Sequence, residues 1–549
     1  MAESDRDDEP PQPTRLDRER LTKHSARYII SPKVFEAVGP ETVRLKALAE
    51  PPRVALIIEI NLDQKHADRE SGHERVASLV EQVIEGDPGA RMAPRDSSRH
   101  HIFATLTLDQ LMEVVRLDAA NASKEGRAPD IYKVWPDRPL EAYLDRSVRI
   151  IKGDACLRSF GSSGDGIVWA VADSGIQRDH PHFVFYENLD LPAVGKAPAR
   201  SPRPGPRAPL QHKDFTGEND WGRDDYGHGT HVAGIIAGTS PCAWTDPRSE
   251  PPRDPANAPK TAPPVYRIRR EKNERNEIVN RAVVSERPVQ GVAPKAKLVC
   301  LKVLDAAGKG SESALLSAID YIARVNDDGR WPRIHGLNLS LGYGFEAEWF
   351  AAGQSPLCVA VNRLVKQGVV VVAAAGNDGS AMIATRASPN GRPIGMDQSI
   401  TDPGNAELAI TVGSTHPEQP HTYGVSYFSS RGPTADGRQK PDLVAPGERI
   451  VSAASPGSLE RLKIEDPRLK RDKNMDVSGA AYYREETGTS MAAPHVSGAI
   501  AAFLSVRSEF LGQPERVKEI FMNSATDLKR RRDFQGAGLV DLMRALQSV

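Results

Sequence analysis

The sequence predicts an α/β protein, a parallel sheet with helices on both faces, preceded by a smaller α+β unit. Three observations carry that expectation. The chain of 549 residues is too long for one ordinary domain and long enough to bury a large core. From about residue 150 onward, short apolar runs alternate with amphipathic helical stretches, the pattern of strands buried on both faces. Between about 50 and 137 a shorter alternation of strand-like and helix-like segments stands apart from it.

Taken in order, residues 1–49 read as a poorly ordered tail. The first 25 or so are charged, proline-bearing and too poor in apolar side chains to offset the entropy of ordering. RVALIIEI (53–60) then reads as a strand, SGHERVASLVEQVIEG (71–86) as an amphipathic helix and HHIFATLT (100–107) as a strand. LDQLMEVVRLD (108–118) follows as a helix and DIYKVWP (130–136) as a final strand. This order suits a small ferredoxin-like βαββαβ unit over 50–137. Residues 138–152 form a linker, and the large domain occupies 153–549. Its predicted strands are IVWAVA (167–172), KLVCLKVL (297–304), IHGLNLSL (334–341), VVVVAAA (369–375) and LAITVG (408–413). Helical patterns lie at 311–325, 355–367, 491–506 and 514–523. Proline- or charge-rich insertions near 190–212, 239–289 and 456–485 interrupt this core and are expected to be surface excursions rather than parts of the sheet.

Composition removes several function classes. Lysine plus arginine number 72 and aspartate plus glutamate 73, so charge gives no reason to expect a nucleic-acid or membrane partner. Peptides are the expected partners. The four cysteines, Cys156, Cys242, Cys300 and Cys358, are scattered without the spacing of a disulfide framework or zinc site. The N-terminus lacks the apolar core of a signal peptide, and no run of about 18 apolar residues stands out. The expectation is a cytoplasmic protein, although secretion by other routes would leave no such signal.

The chemistry comes from three short segments. IVWAVA runs into Asp173-Ser174-Gly175, which puts a carboxylate at the carboxyl edge of a parallel strand, where α/β folds build sites. A strand-ending aspartate is also an ordinary turn residue. DDYGHGTHVAGIIAG (224–238) carries His228 and His231 at a helix start; a metal pair or packed histidines are the alternatives, with no H-E-x-x-H glutamate or third ligand beside them. ETGTSMAAPHVSGAIAAF (486–503) begins a helix at Ser490. A serine there is usually a cap. The same position also sets its hydroxyl and backbone N–H beside the positive end of the helix dipole, as an oxyanion site requires.

AVADSGI, GHGTHVAG and GTSMAAPHVSG resemble the three signature motifs of the subtilisin-like serine protease family, the subtilases, in that family's order of Asp, His and Ser. GVAPKAKLVCLKVLDAAGKGS (291–311), LNLSLG (337–342), VVVVAAAGNDG (369–379), YFSSRGP (427–433), KPDLVAPG (440–447) and GAGLVDLMRAL (536–546) extend the likeness over nearly all of 150–549. The resemblance implies a subtilisin-like three-layer domain and a serine endopeptidase with Asp173, His228 and Ser490 as catalytic triad. His231 then falls to packing. It also implies Asn377 as side-chain oxyanion donor, Ser340-Leu341-Gly342 as the edge that pairs with substrate backbone, and the unit at 50–137 as a propeptide-like inhibitor and chaperone, cut from the enzyme between about Asp137 and Lys152. A catalytically silent peptide-binding or regulatory scaffold on the same fold is the alternative. Many relatives bind calcium where this chain carries the 239–289 insertion. No ligands are identifiable there, so no metal residues are assigned and calcium stays open.

Overall fold

The computed structural model describes residues 29–30, 53–61, 66–95, 101–136, 145–192, 209–241, 262–272, 278–285, 288–345, 351–385 and 388–549. They fall into two compact units, one within Met1–Ala142 and one within Tyr143–Val549. Nearly all of the predicted tail, residues 137–144 of the linker region and Cys242 lie outside the described residues.

The N-terminal unit has the element order strand Arg53–Ile60, helix His66–Ile84, strands Arg91–Met92 and His101–Thr107, helix Leu108–Glu125 and strand Ile131–Pro136. Its sheet runs Arg91–Met92, His101–Thr107, Arg53–Ile60, Ile131–Pro136, with all neighbours antiparallel. The two-residue strand Arg91–Met92 is too short to leave any alternation and was not predicted. Burial alternates along Arg53–Ile60, where Leu56, Ile58 and Ile60 point into a core with Val76, Val80, Leu106, Leu111, Val114 and Val134. The second helix begins in a capping box, the Gln110 N–H donating to Thr107 Oγ1 (3.2 Å) and the Thr107 N–H to Gln110 Oε1 (2.9 Å). It stops at Gly126, whose left-handed φ of 65° only glycine adopts without strain.

In the C-terminal unit seven parallel strands run in the order Leu443–Pro446, Ile410–Thr415, Val370–Ala374, Gly336–Leu339, Val168–Asp173, Lys297–Lys302, Lys213–Asp214. The five predicted strands are all present. The two outermost were missed because one has two residues and the other ends in proline. Helices Glu312–Val325 and Pro356–Lys366 cover one face through Leu315, Ile319, Ile322, Val361 and Leu364. On the other face His228–Ile236, Thr489–Val506 and Pro514–Ser524 pack on Trp169, Val171, Val372 and Val412. The inner strand Val168–Asp173 is therefore buried at every position, which explains its apolar run up to Ala172. Thr489–Val506 is long and apolar enough to cross a bilayer, contrary to the sequence expectation, but 83% of it is buried at the centre of this unit.

The insertions depart from expectation in a more consequential way. Parts of 239–289 and 456–485 are not isolated surface excursions. They supply strands to a second sheet in the order Ile450–Ala453, Ala481–Glu486, Val265–Lys272, Ile278–Val284. Tyr266, Ile268, Ala282, Leu459, Leu469, Met475 and Tyr482 give it a small core of its own. The two stretches lie some 200 residues apart, so neither one's pattern reveals its partner in the parallel pairing of Val265–Lys272 with Ala481–Glu486.

Candidate active site

Asp173 is the last residue of the strand Val168–Asp173, its side chain 1% exposed. Its Oδ1 accepts the Ser174 N–H at 2.8 Å, which fixes the carboxylate. His228 opens its helix after Gly227, and its Nδ1 lies 2.8 Å from Asp173 Oδ1 and 3.0 Å from Oδ2. This approach requires glycine at position 229, since a Cβ there would sit 2.2 Å from the Gly175 carbonyl oxygen. Asp224, fully buried, ties the preceding loop down. It accepts from Ser174 Oγ (2.8 Å), the N–H groups of Gly227 (2.7 Å) and Thr230 (2.8 Å), and Thr230 Oγ1 (2.5 Å).

Ser490 lies in the first turn of Thr489–Val506, where a helix has no carbonyl of its own to accept the N–H. Its hydroxyl donates to the Ser340 carbonyl at 2.9 Å, and Ser340 Oγ donates back to the Ser490 carbonyl at 2.8 Å. Behind them Asn338 Nδ2 donates to Ser340 Oγ, and Ser497 Oγ donates to Asn338 Oδ1, both at 2.9 Å. This buried chain locks the helix that carries Ser490 to the strand Gly336–Leu339. Asn377 Oδ1 accepts from the Thr489 N–H (2.9 Å) and Thr489 Oγ1 (3.1 Å), which leaves Nδ2 as the free end of the amide. His228, Ser340, Asn377, Thr489 and Ser490 line one cleft of about 550 Å³, together with Tyr226, Leu304, Gly308, Gly310, Leu341, Gly342 and Tyr343.

Burial disfavours the imidazolium of His228, but the charge and hydrogen bond of Asp173 outweigh it, with help from Glu486 and Asp224. The pKa is pushed up to about 9. His231, three residues on, behaves oppositely. It is buried, its Nε2 faces the carbonyls of Ile450 (3.0 Å) and Arg484 (3.1 Å) in the second sheet, and burial pushes its pKa down to about 3. Sequence alone could not rank the two histidines without the resemblance; the neighbouring carboxylate separates them.

The geometry thus gathers Asp173, His228, Ser490 and Asn377, predicted on four separate segments, and places Ser340, Leu341 and Gly342 beside them. A model of the subtilase family matches residues 164–539, more than half of the chain. The chain belongs to the subtilase family. Its curated relatives include serine protease AprX of Bacillus subtilis (strain 168), 26% identical over 479 residues that cover 86% of this chain and 85% of that protein. Subtilisin E of the same organism is 27% identical over 434 residues, 78% of this chain and 79% of the relative. Pyrolysin of Pyrococcus furiosus is 31% identical over 353 residues, 59% of this chain but 21% of that protein. This subtilase is accordingly a subtilisin-like serine endopeptidase, a hydrolase acting on peptide or protein substrates. Three site groups escaped the sequence reading: Asp224, Tyr226 and Asn338. Asp224 and Tyr226 stand within the histidine motif, but only the fold reveals that one is buried and the other lines the cleft. For calcium, the described residues hold no cluster of three His, Cys, Asp or Glu side chains able to bind a metal ion.

Proposed function

We propose that this subtilase cleaves internal peptide bonds through an acyl-enzyme, with Asp173, His228 and Ser490 as the catalytic triad. The observation that carries the reading is the 2.8 Å contact of His228 Nδ1 with the buried Asp173, opening on the same cleft as Ser490. Asp173 holds the tautomer with the proton on Nδ1, leaving Nε2 as the base. A rotation about the Ser490 Cα–Cβ bond releases its hydroxyl from the Ser340 carbonyl and turns it toward Nε2. His228 takes the proton as Oγ attacks the scissile carbonyl, then delivers it to the leaving amine. Water repeats the sequence to free the acid. Asn377 Nδ2 and the Ser490 N–H receive the oxyanion. The substrate lies extended along Leu341–Gly342 as an added strand, its side chains in the apolar wall of Leu304, Leu315 and Leu341. Fluorophosphonate labelling of the purified chain beside Ser490→Ala tests this: covalent mass gain only in the unaltered protein, with internal fragments released from a denatured substrate, is the expected result.

The N-terminal unit, with its ferredoxin-like strand order, is proposed to be a propeptide that assists folding and inhibits the enzyme until self-cleavage between about Asp137 and Lys152. Support comes from its position and from its separate core. Incubation followed by intact mass is the test: loss of the N-terminal unit from the active chain and not from Ser490→Ala is expected, and two full-length species would overturn it.

A further inference from the structure

Among the described residues, the helix that packs on the second sheet meets the cleft at the loop Asp224–His228. The helix Pro456–Glu465 of the 456–485 insertion lies directly on that loop, and two glycines make the approach possible. A Cβ on Gly457 would fall 2.3 Å from the Asp225 carbonyl oxygen, and one on Gly227 would fall 2.4 Å from the Ser458 Cβ. From this helix Arg461 reaches Tyr226 twice. Its guanidinium stacks 4.2 Å from the centre of the Tyr226 ring, and its Nη2 donates to the Tyr226 carbonyl. Ring and backbone of one residue are therefore held by one side chain. The helix itself is anchored, since Leu459 sits in the core of the second sheet and Arg484 Nη1 donates to the Ser458 carbonyl at 3.2 Å.

Tyr226 forms the cleft wall next to His228, their ring centres 6.3 Å apart. The ring lies against Gly308 on the opposite segment, where a Cβ would come within 2.4 Å of two ring carbons. Nothing larger than glycine fits at position 308 beneath it, so ring and glycine backbone lie in contact across that part of the cleft. We propose that Arg461 is a positioning residue for substrate selection: it clamps Tyr226 over Gly308, and through it the inserted sheet restricts the subsite beside His228 to small side chains. This rests on the proposed protease reading, because the subsite is defined by His228 as base.

The experiment is a peptide panel varied at single positions around one cleavage site, with enzyme concentration set by fluorophosphonate titration of Ser490. Absence of labelling would defeat the protease reading itself; the outcomes below judge the clamp. Arg461→Met removes the cation and the donor while keeping length. Arg461 and Tyr226 are half-buried, so loss of the cation together with its hydrogen bond costs on the order of 1–1.8 kcal/mol. The expected result is therefore a selectivity for small over bulky side chains at one position that drops about five- to twentyfold, mostly through KM, while kcat for the best small peptide and its pH profile stay put. Arg461→Lys should restore part of the selectivity. In Tyr226→Ala the selectivity should be lost already, and adding Arg461→Met should change it no further. An unchanged selectivity in Arg461→Met, or an equal fall in kcat/KM for every peptide, would overturn the proposal.

Discussion

The two units bury charge and polarity in different ways. In the N-terminal unit one face of an antiparallel sheet is covered, and the buried polar groups serve the fold: Asp118 accepts the N–H groups of Asp130 (3.2 Å) and Ile131 (2.9 Å), and Asp130 pairs with Arg75 at 2.7 Å. In the C-terminal unit both faces of a parallel sheet are covered, and besides fold-supporting groups such as the Lys440–Asp442 pair, a set of polar groups collects at the carboxyl ends of the strands. Asp173, Asn338 and Ser340 lie there, with Ser490 and Asn377 beside them. A parallel sheet ends all its strands on one side, so groups from distant segments converge at one edge. An antiparallel sheet alternates its ends and gathers no such set. The cleft groups therefore all belong to the C-terminal unit.

The strongest way to break that division is Ser490→Ala. Loss of activity of about 10⁶-fold is expected, the magnitude known for subtilisin itself, with the melting of both units unchanged by calorimetry. Next is Asp173→Asn, which should lower kcat by about 10⁴-fold. It also carries a sign: neutral His228 is the base, so activity rises with pH through its pKa, raised to about 9 chiefly against burial by Asp173. The acid limb of kcat/KM should lie above the ordinary histidine range and move to lower pH in the variant. Asn377→Ala should cost about 10²- to 10³-fold in kcat with little change in KM. On the other side of the comparison, Asp118→Ala leaves two backbone donors unpaired. It should destabilise the N-terminal unit by about 2–3 kcal/mol while the activity per titrated Ser490 stays constant.

Acid separates the histidines further. Burial pushes His180 to about 4 and His182 and His231 to about 3, all below the ordinary value of about 6.5. The unfolded chain therefore takes up protons first, and stability held above pH 6.5 is lost as pH falls toward 4. His228 has the reverse sign, its contribution full below about 6.5 and fading as pH rises through about 9. Urea unfolding of the C-terminal unit across pH 4–7 should show stability falling on the acid side by a few kcal/mol.

Most of the candidate site was legible in the sequence because each part is local. A strand running into Asp173, a histidine after Gly227 and a serine opening a long apolar helix each announce their place through periodicity and caps, and the family resemblance adds their roles. The five inner strands were legible for a related reason: burial on both faces leaves unbroken apolar runs. Arg91–Met92 and Lys213–Asp214 were not, since two residues carry no period. Nor was the second sheet, whose central pair joins Tyr266 to Tyr482 across more than 200 residues.

What the sequence determined by itself was thus the parallel core and the segments that carry the candidate site residues, set by short-range patterns of polarity and backbone preference, while the family resemblance supplied the roles. What only the tertiary structure decided was which of two equivalent-looking histidines meets a carboxylate, which carbonyl engages Ser490, and how an arginine at 461 comes to lie over a tyrosine at 226. Those are contacts between distant segments. Their energy depends on distances that no local pattern of side chains encodes.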